Sequence, residues 1–222
     1  QLVATLVEHQ VAVLEPVQTA KALGLSLDEL LAWTPEWMHL PIDRHMKDGG
    51  RYRKRRHASY VVSGDDVQHV AHRAHWQPLD YNALHGGMTR WFDPIEPHLA
   101  EHPSWLHMLR QLGQLLSSAQ AQSHPHTPET GVQPWFVEAH QFRIDTEGGI
   151  GRPTPEGAHR DGVDYVVIFL VERRNVMGGE SRVFESYGCK GERFTLMHPW
   201  TMLVLDDHQV IHETTPIRPL GE

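Results

Sequence analysis

The spacing of apolar residues changes along the chain near Pro134. Before that point, apolar positions recur at helical intervals, which is typical of amphipathic helices. We therefore predict that residues 1–33 are helical, with Ser26 and Glu29 forming a capping box ahead of an apolar run. The most strongly periodic segment is HPSWLHMLRQLGQLLSS, which predicts a helix whose apolar face consists of Trp105, Met108, Leu109, Leu112, Leu115 and Leu116.

Beyond Pro134 the chain consists of short apolar runs separated by turns. One further strand is predicted before Pro134, near 59–62. After Pro134, a Gly- and Pro-rich loop spans 145–158. Loops of that length in compact domains are often functional lids. Short strands joined by turns predict an all-β barrel or jelly roll with helices packed outside. The predicted strands of the second half are 135–144, 164–172, 181–187, 193–198, 201–207 and 209–217, with a turn at 175–179.

The length of 222 residues is sufficient for one domain with a sizeable core. We expect a single domain over 1–222, made of a helical N-terminal segment, 1–35, and a strand-rich core with supporting helices, 36–222. The formal net charge of −8 argues against a nucleic-acid partner, which usually binds a basic surface. The single cysteine, Cys189, excludes an internal disulfide and a cysteine-rich zinc site.

The sequence contains neither an apolar run long enough to span a membrane nor a signal-peptide pattern. We therefore expect a cytoplasmic protein without a membrane partner. The oligomeric state stays open, and a homo-oligomer is compatible with the sequence.

A basic run, RYRKRR, occupies residues 51–56 and carries five positive charges. One interpretation is a phosphate-binding surface. A solvated strand is the favoured interpretation, because neither a set of stacking aromatic residues nor a globally basic composition accompanies the run.

The chain contains 18 histidines, and His159 lies two residues before Asp161, where the Gly- and Pro-rich loop enters an apolar strand. Residues i and i+2 of a strand point to the same side, so these two side chains can face one point while Arg160 faces away. Two imidazoles and one carboxylate on one face of a metal form a typical Fe(II) site with open positions. His159 and Asp161 therefore indicate two of the three protein ligands of a metal site.

The third metal ligand should be a histidine from a later strand that returns beside the first. The segment DDHQVIHETTPI offers His208, in a predicted turn, and His212, in a predicted strand. We prefer His212, because it lies within the strand. The alternative is that His159, Asp161 and His212 are unrelated polar residues at the ends of strands.

Several segments resemble the 2-oxoglutarate/Fe(II)-dependent dioxygenase family that includes bacterial L-isoleucine dioxygenase, an amino-acid hydroxylase. Together they cover most of residues 40–217, whereas the first 35 or so residues carry no matching motif. The resembling segments are RYRKRRHASYVV, HGGMTRWFDPI, VEAHQFRI, PTPEGAHRDGVDYVVIFLVERRNVMGGESRVFE and DDHQVIHETTPI.

The resemblance implies a mainly β protein with flanking helices and a double-stranded β-helix core, which is the jelly-roll, cupin-like architecture. It implies that the catalytic metal ligands are His159, Asp161 and His212. Fe(II), 2-oxoglutarate and O2 would be the cofactors, and 2-oxoglutarate would be converted to succinate. The implied substrate is a small free L-amino acid or close derivative, such as isoleucine, leucine or methionine, hydroxylated at an aliphatic carbon.

The far carboxylate of 2-oxoglutarate requires a cation, for which an arginine is best suited. Arg218 is the one basic residue after His212, and it follows closely. A solvated loop arginine is an equally good interpretation of Arg218. We expect that the natural chain continues beyond Glu222 and that a further strand carries the true clamp.

A free amino acid also requires a cation for its carboxylate and an anion for its ammonium group. Each charged candidate has a surface charge as its alternative interpretation, and the histidine can equally be a core residue. On the predicted strand 135–144, positions 138, 140 and 142 share one face, which can line the barrel. The candidate substrate-binding residues are Arg143 for the carboxylate, Glu138 and Asp164 for the ammonium group, and His140 and Arg160 at the site or its entrance.

Two other functions stay open. The same oxygenase chemistry can act on a peptide, a nucleobase or a natural-product intermediate, for which a wide basic channel would be expected. A barrel that binds a metal or ligand without catalysis is the alternative from another class. In each enzymatic case the partner is a small molecule or a short segment that reaches the metal.

Overall fold

A computed structural model describes residues 1–82, 84–123 and 133–221. None of the helices in these ranges is both long and apolar enough to cross a membrane. The capping box of Ser26 and Glu29 is present, with the Glu29 amide donating to Ser26 Oγ over 3.2 Å. The helices are α1 (Leu2–His9), α2 (Pro16–Leu23), α3 (Leu27–Ala32), a 3-10 helix (Thr34–Trp37), α4 (Pro97–Ala100) and α5 (Pro103–Ser123).

The strands of the described chain pair in antiparallel fashion and form small sheets with the orders β1–β9–β5, β10–β7–β8, β11–β6 and β3–β2–β4. The predicted mainly β class with flanking helices is therefore confirmed at the level of sheets and helices. The strands are β1 (Val11–Leu14), β2 (Arg53–Ser63), β3 (Asp66–His69), β4 (Trp135–Ile144), β5 (Tyr165–Leu170), β6 (Val176–Gly178), β7 (Ser181–Glu185), β8 (Gly191–Phe194), β9 (Thr201–Asp206), β10 (Val210–Thr214) and β11 (Ile217–Pro219).

Two short segments form strands where the sequence predicts other structure. The helix prediction for 1–33 is wrong over Val11–Leu14, where β1 pairs with β9. The turn prediction for 175–179 is wrong over Val176–Gly178, where β6 pairs with β11. Both segments are three or four residues long, and each owes its strand conformation to a partner far away in the sequence, which local periodicity cannot reveal.

The long helix α5 covers the outer side of the β3–β2–β4 sheet. Its buried residues Trp105, Met108 and Leu109 belong to the same apolar cluster as Tyr60 and Val62 of β2. Each such large side chain contributes about 1.5–3 kcal/mol when it is removed from water. The Trp105 indole donates to the Tyr60 hydroxyl over 3.1 Å, and the Trp135 indole of β4 donates to Ser117 Oγ of α5 over 2.8 Å, so these polar groups are satisfied. This packing leaves the other face of the sheet for the polar interior described below.

The basic run at 51–56 is not the solvated strand that the sequence favours. Alternate residues of β2 point inward, and Arg53 and Arg55 are only 5% and 4% exposed. The Arg53 guanidinium donates to the fully buried carboxylate of Asp43 through Nε over 2.8 Å. A buried guanidinium is tolerated because a buried carboxylate pairs with it, and this partner lies outside the run itself.

Candidate active site

The end of the loop at His159 and the strand β10 meet in a short antiparallel bridge. The amide of His159 donates to the carbonyl of His212 over 3.0 Å, and the reverse bond measures 2.9 Å. The two imidazole rings lie with their centroids 4.6 Å apart. Backbone pairing therefore places the two histidines side by side.

Asp161 completes the predicted triad of side chains. Its Oδ1 lies 3.4 Å from His159 Nε2, and its Oδ2 lies 3.8 Å from His212 Nε2. One ligand atom from each of the three residues falls within 4.8 Å of the others. His208, the other histidine considered for the third position, instead faces Asp164 at 3.1 Å.

The His159 ring is oriented for metal binding. Its Nδ1 lies 2.9 Å from the carbonyl oxygen of Gly157, which can only accept, so Nδ1 donates and Nε2 faces Asp161. Histidines that bind metals typically donate their other N–H in this way. The Nδ1 of His212 is buried without a hydrogen-bond partner in the described part of the chain.

The charges of the triad favour a cation between its members. Burial alone would lower the pKa of His159, but the hydrogen bond and charge of Asp161 and the charge of Glu156 raise it. Burial would raise the pKa of Asp161. The hydrogen bond with His159 and the charges of His212 and His159 outweigh that effect, so the pKa is lowered. The carboxylate therefore stays ionised at neutral pH, and a metal ion would take the place of the proton on the facing imidazole.

Asp207 holds the backbone that carries Asp161. Its carboxylate is fully buried and accepts the N–H groups of Asp161, Gly162 and Val163 over 3.0, 2.7 and 3.1 Å. Gly162 has a φ of +79°, and a Cβ there would come within 2.6 Å of the Tyr81 ring. The sequence predicted Asp207 as the last residue of a strand, 201–207, and did not reveal this role.

A second group of polar residues holds the Asp161 side chain. Gln77 donates through Nε2 to Asp161 Oδ1 over 3.3 Å. Its own Oε1 accepts from Arg90 over 2.8 Å and from Asn82 over 3.2 Å. The sequence offered no motif that identifies Gln77 or Arg90, because both lie in a segment without regular periodicity.

Glu156 lies beside the triad and was also missed. Its Oε1 is 3.6 Å from His159 Nε2, and its side chain is 11% exposed. Its Oε2 is buried without a hydrogen-bond partner among the described residues. The charge of Glu156 also acts on the pKa of Arg90, which burial and the Arg53 charge lower. An unpaired carboxylate oxygen therefore belongs to a residue that contacts His159, and the buried Arg90 guanidinium is linked to Asp161 through Gln77.

Three of the predicted substrate-binding residues contact other parts of the protein. Arg143 donates to the carbonyl of Met38 over 2.7 Å, on the face of β4 opposite to position 138. Arg160 donates through Nε to the Asp207 carbonyl over 2.6 Å and faces away from the triad. Asp164 pairs with His208. Their roles in substrate binding stay predictions.

Arg218, the predicted partner of 2-oxoglutarate, lies in β11 with an exposed side chain. Within the part of the chain that the structure describes, its guanidinium has neither a hydrogen bond nor an ion pair, so it is available to a carboxylate. Its role also stays a prediction. Three other arginines of the described chain, Arg53, Arg55 and Arg90, are buried, and Arg90 donates to Gln77, which contacts Asp161.

The remaining two predicted substrate residues, Glu138 and His140, belong to a second cluster that also contains His57 and His75. His75 Nδ1 lies 2.6 Å from Glu138 Oε2, while His57 Nε2 is 3.5 Å from Oε1 and His140 Nε2 is 3.8 Å from Oε2. Burial would raise the pKa of Glu138, but the three histidines that face its carboxylate hold that pKa far below its ordinary range. The charge of His140 also lowers the pKa of Asp161, and Gln77, two residues after His75, contacts Asp161.

Several solved structures are similar to this chain. A bsmA homologue from Methylobium petroleophilum PM1 is 49% identical, with a TM-score of 0.88 over 99% of this chain and 85% of that chain. IDO from Bacillus thuringiensis is 16% identical (TM-score 0.74, 100% of this chain and 88% of that chain). TqaL, an Fe(II)/α-ketoglutarate-dependent dioxygenase, is 18% identical (TM-score 0.70, 99% and 79%). The last two show similarity of fold alone.

None of the curated proteins compared with the chain matched it. The model of the 2OG-Fe dioxygenase family matches residues 34–222, which include the whole triad. Members of that family use Fe(II), 2-oxoglutarate and O2, and the donor set of two imidazoles and a carboxylate suits Fe(II). The match over most of its length shows that the chain belongs to the 2OG-Fe dioxygenase family.

Proposed function

We propose that this dioxygenase hydroxylates an aliphatic carbon of a small free L-amino acid or a close derivative and converts 2-oxoglutarate to succinate. When bound, the iron and 2-oxoglutarate supply the oxidising chemistry, and the protein supplies binding, orientation and a dry site. The observation that carries the proposal is two opposite, incompletely paired charges: Glu156 beside His159, and Arg90 bound to Gln77, which contacts Asp161.

The iron ligands in this proposal are His159, Asp161 and His212. His159 presents Nε2 because Gly157 engages its other ring nitrogen. Asp161 is held from two sides, through its backbone by Asp207 and through Oδ1 by Gln77. Because these ligands are already held in position, they need little conformational rearrangement when the ion binds.

The two ends of a free amino acid match the unpaired groups near the triad. Glu156 Oε2 is a buried acceptor without a partner in the described chain, and an ammonium group would satisfy it. Arg90 is 2% exposed and its Nε also has no partner there, so a substrate carboxylate would satisfy it. Buried polar groups are expensive to leave unpaired, which favours a ligand that carries both charges. For the carboxylate we favour Arg90 over Arg143, which is bound to Met38.

We also propose the finer architecture that the resemblance implies, a single domain with a double-stranded β-helix core. The small antiparallel sheets β1–β9–β5 and β10–β7–β8 support it. The pairing of β1 with β9 supports the inclusion of the N-terminal segment in the same domain. Arg218 remains the proposed partner of the far carboxylate of 2-oxoglutarate.

The experiment that tests the substrate class is succinate formation with Fe(II), 2-oxoglutarate and O2 against a panel of free L-amino acids. N-acetyl and amide derivatives of the best substrate are the matched controls, because each removes one of the two charges. We expect stimulation by one or a few aliphatic amino acids and loss of that stimulation with both derivatives.

Equal turnover of the blocked derivatives, or stimulation by none of the amino acids, would discard the free amino acid as substrate. Turnover with a peptide, nucleobase or natural-product intermediate would then replace it. Tight metal binding without any consumption of 2-oxoglutarate would favour a non-catalytic barrel.

A further inference from the structure

The cluster of His57, His75, Glu138 and His140 has the composition of a metal site and is separate from the triad. Glu138 and His140 lie two residues apart on β4, so their side chains share one face. His57 pairs directly with His140 across the β2–β4 ladder. His75 comes from the segment that pairs with Arg90. One ligand atom from each of the four residues lies within 4.8 Å of the others.

A fully buried imidazole without hydrogen bonds is the second observation. His57 is 0% exposed, and neither of its ring nitrogens has a hydrogen-bond partner in the described chain. Its ring stacks on His140 at a centroid distance of 4.8 Å, and its Nε2 points toward Glu138. Buried polar atoms in native proteins almost always have a hydrogen-bond or metal partner. We therefore expect the His57 ring nitrogens to bind a group that is not part of the described chain. A metal ion beside Glu138 Oε1 would be that partner.

His140 is the least suited of the four residues to act as a ligand. Its Nδ1 lies 2.7 Å from Nη2 of Arg55, and a guanidinium can only donate. The proton of the neutral ring is therefore on Nε2, which faces Glu138. His140 thus orients the carboxylate, and the donors left for an ion are two imidazoles and one carboxylate.

We propose that His57, His75 and Glu138 bind a second divalent transition-metal ion, next to the iron site but distinct from it. Imidazole ligands suit Zn²⁺, Cu²⁺, Fe²⁺ and Ni²⁺, and three protein donors leave open positions. The Glu138 side chain is 36% exposed, so the ion can be reached from outside. Segment 75–77 contributes to both sites, because His75 belongs to the cluster and Gln77 contacts Asp161.

The test is a titration of the metal-free full chain with Co²⁺ or Zn²⁺, followed by calorimetry, by metal analysis and, for Co²⁺, by its absorption spectrum. We expect two ions per chain in the wild type. Asp161→Ala should bind one ion, Glu138→Gln should bind the other, and the double variant should bind none. The exposed His39→Ala is the matched control and should keep both ions.

A single ion per chain that is lost in Asp161→Ala and unaffected in Glu138→Gln would overturn the proposal. Glu138→Gln preserves the size of a partly exposed side chain, so it is informative even if a variant of His57 or His75 does not fold. The titration needs neither 2-oxoglutarate nor an amino acid. Failure of the proposed substrate class would therefore leave this result unchanged, and the reverse is also true.

Discussion

The affinity of the site for a metal ion depends first on how individual residues hold the Asp161 carboxylate. The side-chain alternation of a strand predicts that His159 and Asp161 face one point; their side chains do lie 3.4 Å apart, although both residues precede β5. It could not predict Asp207, Gln77 or Glu156, because their roles arise from contacts with residues distant in the sequence. Asp207 and Gln77 hold Asp161 in place, and Glu156 adds a negative charge beside His159.

Substitution of Asp207 tests this support. Asp207→Asn keeps the size of the side chain but replaces one accepting oxygen, so at least one of the N–H groups at 161–163 loses its acceptor. We expect the affinity for Fe(II) to fall about 10- to 100-fold, as is typical when the support of a metal ligand is removed. Calorimetric titration under anaerobic conditions measures this. The control is Asp164→Asn, which alters an exposed carboxylate nearby; equal affinities in both variants would remove Asp207 from the account.

Substitution of Glu156 tests the ammonium site. Glu156→Gln removes the charge beside His159, and hydrogen bonds to charged groups contribute about 1.5–3 kcal/mol, or roughly 10- to 100-fold in binding. We expect the KM for the amino acid to rise by that factor, measured by succinate formation at saturating iron. Glu147→Gln, in the same loop but 78% exposed, should behave as wild type. An unchanged KM in Glu156→Gln would assign the ammonium group to another residue.

At the scale of elements, β2 and β4 show which sequence patterns were informative. The bounds of β4 were predicted correctly at 135–144, because its alternation is regular and Pro134 precedes it. The inward direction of Arg53 and Arg55 in β2 was not, because their partner Asp43 lies in an irregular segment. The basic residues of such a strand can be buried only if a carboxylate from another part of the chain pairs with them. The local sequence does not show whether such a partner exists.

The Asp43–Arg53 pair provides a prediction about stability. Asp43→Asn leaves Arg53 buried without its carboxylate, and breaking a buried pair in this way costs about 3–5 kcal/mol. Glu96→Gln, which breaks the exposed pair with Arg56 at the other face of the strand, should cost at most about 1 kcal/mol. Urea unfolding at neutral pH measures both, and similar costs would contradict the buried role.

The same pair predicts a pH dependence. Burial would raise the pKa of Asp43, but the Arg53 charge, the His45 amide and Arg55 lower it below its ordinary value of 3.8. A carboxyl group with a lowered pKa in the folded state stabilises the fold above its unfolded-state pKa and loses that contribution as the pH falls. The free energy of unfolding of the wild type should therefore decrease below about pH 4, relative to neutral pH, more steeply than that of Asp43→Asn. Parallel curves for the two proteins would contradict this assignment.

At the scale of the molecule, the N-terminal segment is joined to the sheet that follows the metal-binding loop. Strand β1 pairs with β9, and β9 pairs with β5, which begins just after Asp161. Leu2 and Leu6 of α1 lie in the main apolar cluster. The sequence predicted an entirely helical segment here, because the four residues of β1 are too few to show strand periodicity within a helical region.

Removal of residues 1–14 tests whether this segment belongs to the domain. The shortened chain would expose the edge of β9 and the apolar surface that Leu2 and Leu6 cover. We expect a large fall in Tm and aggregation of the shortened chain, measured by differential scanning calorimetry and light scattering. Removal of the last two residues is the control and should leave Tm unchanged. A shortened chain with the Tm of the full chain would make 1–14 an appendage.

The most direct test of the central claim is succinate formation by the full chain in which each triad residue is changed in turn. His159→Ala, Asp161→Ala and His212→Ala should each abolish turnover and the binding of Fe(II), whereas His208→Ala, the neighbouring histidine outside the triad, should retain both. Turnover that persists in His159→Ala and Asp161→Ala would mean that these residues do not hold the iron, and the account of the active site would be wrong.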